Sequence, residues 1–321
     1  MKFSIIIPLK EDNAYIRETL ACLREIDYSD YEIFVLPDKS YAWGDLVQVI
    51  STGPMGPGAK RDLALKYARG EIVAFLDDDT FPRRDWLKNA VKYFDDERVA
   101  AIGGPAVTPA TDELFQQASG GVYMSLLGGG NYAYRYLPKQ MKEVDDYPTC
   151  NLLVRRSVMQ HLGGFDTTFW PGEDTKLCLE ITRKLGMKII YAPDVIVYHH
   201  RRPLFRGHLK QVRNYALHRG YFVKRFPETS LRPSYFLPTL LVTFLFGGGL
   251  LSFLIPDLAP YYLMGLILYL VAALVSAAMV SREIRLTILV ALGIIATHLV
   301  YGVWFVLGLL APRLSEEQAG D

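Results

Sequence analysis

Cysteine is scarce in this chain: Cys22, Cys150 and Cys178 share no CxxC spacing, which excludes a disulfide framework and a zinc cage. A glycine-rich GxGxxG turn is missing as well. A dinucleotide-dependent hydride-transfer enzyme carries that turn after its first strand, where this chain reads PLKED and offers carboxylates, which repel a pyrophosphate unless a cation lies between. Neither sign of charge is in excess. Lys and Arg number 35 against 34 Asp and Glu, and with half of the residues hydrophobic, nucleic-acid binding and intrinsic disorder both fit poorly. The amino terminus, MKFSIIIPLKEDN, lacks a small-residue cleavage site; its apolar run stops at acids and reads as a first strand, not a signal peptide.

Charged side chains are most completely absent near the end. Residues 233–256, 258–281 and 286–312 contain no Asp, Glu, Lys or Arg, and each stretch exceeds the ~20 residues needed to cross a bilayer. A soluble cytoplasmic enzyme is thereby excluded, and three transmembrane helices are expected at about 235–256, 259–281 and 286–311. The even overall balance hides an asymmetry: residues 1–200 hold 23 Lys and Arg against 28 Asp and Glu, whereas residues 201–235 hold nine against Glu228 alone. That basic segment precedes the first apolar run, where anionic headgroups or a lipid phosphate would sit. The loops follow the positive-inside rule, with 201–232 in, PDLAP out, SREIR in, and a tail with Glu316, Glu317 and Asp321 out. The expectation is a multi-pass protein of the cell membrane with a cytosolic amino-terminal domain.

That domain alternates strand and helix. FSIIIPL at 3–9 is followed by a helical period over Asp12–Glu25 (Ile16, Leu20, Leu23), then YEIFVLPD at 31–38, the helical GAKRDLALKYARG, and EIVAFLDDD at 71–79 as a strand covered on both faces. A helix at Asp85–Phe94 and a strand at 99–107 come next, while 108–148, rich in glycine and tyrosine, gives no clean period. The expected fold class is α/β, a Rossmann-like, mostly parallel sheet followed by an α-helical membrane domain. Acids fall just beyond its strands: Glu11, Asp38, and Asp77 to Asp79, the edge where such sheets bind ligands. A metal-bound diphosphate is the economical reading of those carboxylates.

FSIIIPLKED, EIFVLPD, KRDLALKYARG, FLDDDTF and GGFDTTFWPGED, in that order and spacing, resemble an inverting family 2 glycosyltransferase of GT-A fold with carboxyl-terminal transmembrane helices. The resemblance implies a metal-dependent enzyme of the hexosyltransferase class, using Mg²⁺ or Mn²⁺ and a UDP-, GDP- or dTDP-sugar. It makes Asp77 and Asp79 the DxD pair, Asp77 on the ribose side and Asp79 on the cation; Pro8, Glu11, Asp38 and Asp78 line the donor. Lys60 and Arg61 would approach its phosphates, or form an exposed first helical turn. Asp174 becomes the base that deprotonates the acceptor hydroxyl, supported by Glu173; as bare sequence, both acids also suit a helix N-terminus. Trp170 would stack on the acceptor sugar or serve as a buried anchor.

VIVYHHRRP at 195–203 ends a strand in two histidines, of which His199 is the preferred third metal ligand over His200. Arg201 and Arg202 would hold a diphosphate or a lipid phosphate with fork geometry. Residues 205–226 are basic and amphipathic, an interfacial helix; QVRNY at 211–215 only faintly resembles the QxxRW of processive synthases, so single-sugar transfer is favoured. The chain therefore divides into a catalytic domain at 1–204, an interfacial segment at 205–232, membrane helices within 233–312 and a tail at 313–321. It is expected to extend a lipid-linked or cell-surface glycan in polysaccharide biosynthesis, with membrane lipids as partners and a homo-oligomer left open. Transfer to a polyprenyl phosphate is the alternative, and an inert nucleotide-sugar-binding scaffold a further one.

Overall fold

The computed structural model describes residues 1–318; Asp321 lies outside the described residues, as does the side chain of Glu317. The chain forms two compact units, one of Met1–Val107 with Leu137–His200, the other of Thr108–Tyr136 with Arg201–Ser315. The first opens with β1 (Phe3–Pro8), α1 (Ala14–Arg24), β2 (Tyr31–Leu36), β3 (Val47–Val49), α2 (Pro57–Leu65), β4 (Ile72–Leu76), β5 (Thr80–Pro82), α3 (Trp86–Val91), β6 (Val99–Gly103) and β7 (Ala106–Val107). After α4 (Leu114–Met124), which belongs to the second unit, it resumes with β8 (Lys142–Val144), β9 (Asn151–Arg155), α5 (Arg156–Leu162), α6 (Glu173–Leu179), β10 (Lys188–Tyr191) and β11 (Val197–His199).

Eight strands form one sheet in the order β3-β2-β1-β4-β9-β6-β10-β8, all running the same way except β9 and β8. All six residues of β1 are buried between its parallel neighbours β2 and β4, which is why FSIIIP reads as an unbroken apolar run. Asn13 caps α1, its Oδ1 accepting from the Ile16 N–H at 3.0 Å, and Ile16, Leu20 and Leu23 are buried at helical spacing.

Two expected strands are shorter than the apolar pattern suggested. The one expected over 71–79 ends at Leu76, and the one over 99–107 breaks after Gly103. At Gly104 an added Cβ would stand 1.6 Å from the Val195 carbonyl oxygen, so only glycine admits the neighbouring chain there. Beyond each break the backbone enters a second, three-stranded sheet, β5-β11-β7.

The second unit holds α4, a turn at Gly130–Arg135, α7 (Arg206–Arg225) and three helices long and apolar enough to cross a membrane: Pro233–Leu254, Pro256–Ala278 and Ile284–Leu310. Glycines allow α7 to lie against the last of these: a Cβ on Gly220 would meet the Phe305 oxygen at 2.1 Å, and one on Gly308 the Leu217 oxygen at 2.0 Å. His208, fully buried on α7, lies between Ser119 Oγ and Thr297 Oγ1, each 2.8 Å from a ring nitrogen.

Burial, with Arg201 nearby, pushes the His208 pKa down to about 4. The native state thus binds this proton less readily than the unfolded chain, and the stability His208 confers is complete above the unfolded pKa of about 6.5 and lost as pH falls toward 4. Acidifying the detergent-solubilised protein from pH 7.5 to 5 is expected to lower its melting temperature, His208 contributing about 2 kcal/mol. In His208→Asn the slope of melting temperature against pH should flatten; an unchanged slope would remove His208 as the cause.

Candidate functional site

The acidic run Asp77 to Asp79 occupies the three residues between the end of β4 and the start of β5. Because β5 pairs antiparallel with β11, Thr80 lies opposite His199, and the His200 N–H donates to the Asp79 carbonyl at 3.0 Å. The pairing brings the His199 Nε2 to 3.1 Å from Asp79 Oδ1. One ligand atom from each of Asp77, Asp79 and His199 lies within 4.8 Å of the other two, and all three residues are half-buried. Two carboxylates and an imidazole suit a divalent cation such as Mg²⁺ or Mn²⁺, with positions left for phosphate oxygens and water.

The preferred histidine is thus the one beside the acids. His200 is engaged elsewhere: its Nε2 is 2.9 Å from Glu18 Oε2, and its ring stacks on Tyr15 at 4.6 Å between centroids.

Lys60 and Arg61 lie inside the unit, with 3% and 2% of their surfaces exposed, which rules out a solvated helical turn. The Lys60 ammonium donates to the carbonyls of Leu9 at 2.6 Å and Leu36 at 3.2 Å, just past β1 and at the end of β2, and pairs with Asp38. Its three donors are thereby matched to three acceptors. Arg61 forks: Nη2 reaches Asp77 Oδ1 at 2.7 Å and Nη1 reaches Glu173 Oε1 at 3.0 Å. One guanidinium thus joins a strand-end acid to the first residue of α6.

Glu173 is buried and also accepts from the Gly172 N–H at 3.1 Å. Asp174 follows, half-buried, its Oδ1 receiving the Thr175 N–H at 2.8 Å; the N-cap itself is Gly172, at a φ of 127° that favours glycine. Upstream, the GGFD turn is pinned to α2 by Asp62, whose Oδ1 accepts from the Phe165 N–H at 2.8 Å; a Cβ on Gly164 would stand 2.3 Å from that oxygen. Trp170 is 57% exposed, so it is no buried anchor.

Other expected residues contribute no side chain to these ion pairs. Pro8 is the buried last residue of β1, while Glu11 points to solvent in the loop beyond it. Arg201 and Arg202 belong to the second unit; Arg201 is buried there, 4.9 Å from the Tyr136 ring centroid with Nε 3.3 Å from Thr108 Oγ1, and Arg202 is exposed.

Sequence reasoning missed Asn13. Its Nδ2 donates to Asp78 Oδ2 at 2.7 Å while its Oδ1 caps α1, so one amide ties that helix to the acidic run. The helix-start signal DNAYI was its only trace. Burial, then the Asp79 charge next door, raises the Asp78 pKa to about 6. Removing the guanidinium in Arg61→Ala leaves Glu173 buried and unpaired and is expected to destabilise the protein by about 3 kcal/mol in denaturant titrations. Arg61→Lys, which cannot fork, should recover less than half of that loss.

Residues 4–163 match the family model described as glycosyl transferase family 2. The chain is 24% identical over 292 residues, 88% of its length, to the pre-mycofactocin glycosyltransferase of Mycobacterium tuberculosis, of which it spans 58%. It is 28% identical over 231 residues to the glycosyltransferase AglE of Haloferax volcanii, covering 65% of this chain and 70% of that one. Among solved structures, the mannosyltransferase PcManGT of Pyrobaculum calidifontis, in complex with GDP-Man and Mn²⁺, aligns over 98% of this chain and 88% of its own at a TM-score of 0.57 and 21% identity. GalNAc-T7 with UDP, GalNAc and Mn²⁺ aligns over 73% and 52% of the two chains at 0.50 and 16%. At these identities the likeness is one of fold.

Proposed function

Because this chain carries a glycosyltransferase family 2 domain of GT-A fold, we propose that it is a membrane-anchored inverting glycosyltransferase. It moves a sugar from a nucleotide-sugar to a hydroxyl of a lipid-linked or cell-surface glycan, working from the cytosolic leaflet. The observation that carries this reading is the meeting of Asp77, Asp79 and His199 at the β4–β5 junction. Mn²⁺ accompanies GDP-Man in the PcManGT structure and UDP with GalNAc in that of GalNAc-T7.

In this reading Asp77, Asp79 and His199 hold the divalent cation, which when bound stabilises the charge developing on the departing diphosphate. Asp38, fixed by Lys60, and Pro8 and Glu11 lie along the carboxyl ends of β1 and β2, where the nucleotide binds. Lys60 and Arg61 act by setting carboxylates in place, since their donors already face Asp38, Asp77 and Glu173. Asp174 takes the proton from the acceptor hydroxyl as that oxygen attacks the anomeric carbon, and the Arg61–Glu173 pair fixes the helix start that presents it. Exposed Trp170 offers a face on which an acceptor sugar stacks. A hydroxyl acceptor is favoured over a polyprenyl phosphate because an ionised phosphate needs no base.

Asp79→Asn is expected to abolish turnover together with Mn²⁺-dependent donor binding, read by thermal shift across UDP-, GDP- and dTDP-sugars. Asp174→Asn should retain the donor shift and lose turnover by at least about 10²-fold. Turnover undiminished by chelator would sink the metal assignment; a lost donor shift with normal turnover at saturation would make Asp174 a structural residue.

A further inference from the structure

The three apolar helices meet one another in a pattern that an up-down-up bundle does not allow. The first and second touch near the turn joining them: Tyr262 Oη donates to the Leu245 carbonyl at 3.1 Å, and the Phe244 and Tyr262 rings lie 5.4 Å apart. The far end of the second meets the start of the third, where Ala273 and Ala277 pack with Val290, Ala291 and Ile294. The beginning of the first, however, meets the end of the third. Thr239 Oγ1 donates to the Gly302 carbonyl at 3.0 Å, a Cβ on Gly302 would stand 2.5 Å from the Pro238 oxygen, and the Phe236 and Phe305 rings are 4.9 Å apart.

Three successive crossings would place the start of the first helix level with the start of the third, at Ile284. Instead it lies beside Gly302, about 27 Å further along at 1.5 Å per residue. If the first two helices form a crossing hairpin, the end of the second and the start of the first share a membrane face, and the third runs between those two points.

α7 supports the same geometry. It follows the third helix in parallel for most of its length: Leu204, just before it, packs against Gly293, His208 bonds Thr297, Arg213 covers the Trp304 ring at 4.9 Å, Leu217 abuts Gly308, and Lys224 Nζ donates to the Ala311 carbonyl at 2.6 Å. Five cations of α7 stay exposed: Arg206, Lys210 and Arg225, together with Arg213 and Lys224 where they reach the third helix. Were the third helix to cross the hydrocarbon, this row of cations would be carried in with it, which is costly for each. The third helix meanwhile exposes Ile288, Leu292, Val303, Leu307 and Leu310, a face suited to acyl chains.

We propose that Ile284–Leu310 does not cross the membrane but lies in its interface beneath α7, bridging the feet of a two-helix hairpin, so that the carboxyl-terminal tail shares a side with the amino-terminal unit. The proposal rests on the anchoring part of the reading above, not on sugar transfer. It replaces the outward tail expected from loop charges.

Single cysteines test it in a Cys22→Ser background, the other two native cysteines being buried. Exposed positions are Glu97 in the first unit, Asp257 in the hairpin turn, Arg282 before the third helix and Arg313 after it. Each variant, recovered from membranes with an unchanged melting temperature, is treated with a membrane-impermeant maleimide in intact and in permeabilised cells. Glu97→Cys, Arg282→Cys and Arg313→Cys should label only after permeabilisation, and Asp257→Cys in intact cells. Arg313→Cys labelling with Asp257→Cys and opposite to Arg282→Cys would overturn the proposal, as would all four sharing one side. Labelling of Glu97→Cys in intact cells would instead overturn the cytosolic placement; agreement of 97, 282 and 313 against 257 would still carry the helix assignment.

Discussion

The arrangement of the site hangs on the register of two short strands. β11 pairs with β5 so that His199 stands opposite Thr80, one residue after the last acid of the run. Side chains alternate along a strand, so a slip of one residue would turn His199 to the opposite face and present His200 instead. His200 is held against such a slip by α1: its imidazole meets Glu18 and stacks on Tyr15, while Thr19 Oγ1 on the same helix bonds the Thr80 carbonyl at 3.0 Å. The helix that follows β1 thus fixes which histidine faces the acids.

Crowding acids at a strand end is unfavourable unless something opposes their repulsion, and the opposition is built in before any ligand arrives. Arg61 and Lys60, adjacent on α2, are both buried and address different groups: one joins Asp77 to Glu173, the other joins Asp38 to the carbonyls of Leu9 and Leu36. A buried cation stabilises a fold only when its charge is answered: Lys60 meets three acceptors, and Arg61 meets two carboxylates through its Nη atoms while its buried Nε has no hydrogen-bond partner among the described residues. Asp78 is turned to the amide of Asn13, whose hydrogen bond favours the carboxylate, but burial and then the Asp79 charge outweigh it and raise the Asp78 pKa.

How much of this was legible in the sequence depended on range. β1, α1 and the acidic run were readable, because an unbroken apolar run, a helical period and the letters DDD each announce themselves within a few residues, whereas the meeting of His199 with those acids depends on strand pairing across 120 residues. The interior positions of Lys60 and Arg61 were not, since nothing local says that a GAKRD turn faces inward; that follows from Asp38, Asp77 and Glu173 closing over it. Strand lengths failed for a similar reason. An apolar run through 99–107 shows burial but not that Gly104 yields to the Val195 carbonyl, a contact between residues 91 positions apart. The direction of β9, antiparallel between β4 and β6, and the pairing that makes 108–136 part of the second unit likewise depend on distant residues.

Chain connectivity adds a constraint that a domain boundary drawn at one point misses. The backbone leaves the first unit twice, after Val107 at the end of β7 and after His200, one residue beyond β11, and these two strands are parallel neighbours in the small sheet. The same three-stranded sheet therefore carries His199 to Asp79 and anchors both departures toward the helical unit. Its backbone pairing is short, with Val197 and Tyr198 alone in register with β7, so its stability comes largely from burial; Val197 and Ala106 lie in the core of the first unit. Substitutions that loosen that core beneath β7 and β11 therefore act on the acid–histidine geometry as well, because β11 is the central strand of the small sheet and carries His199.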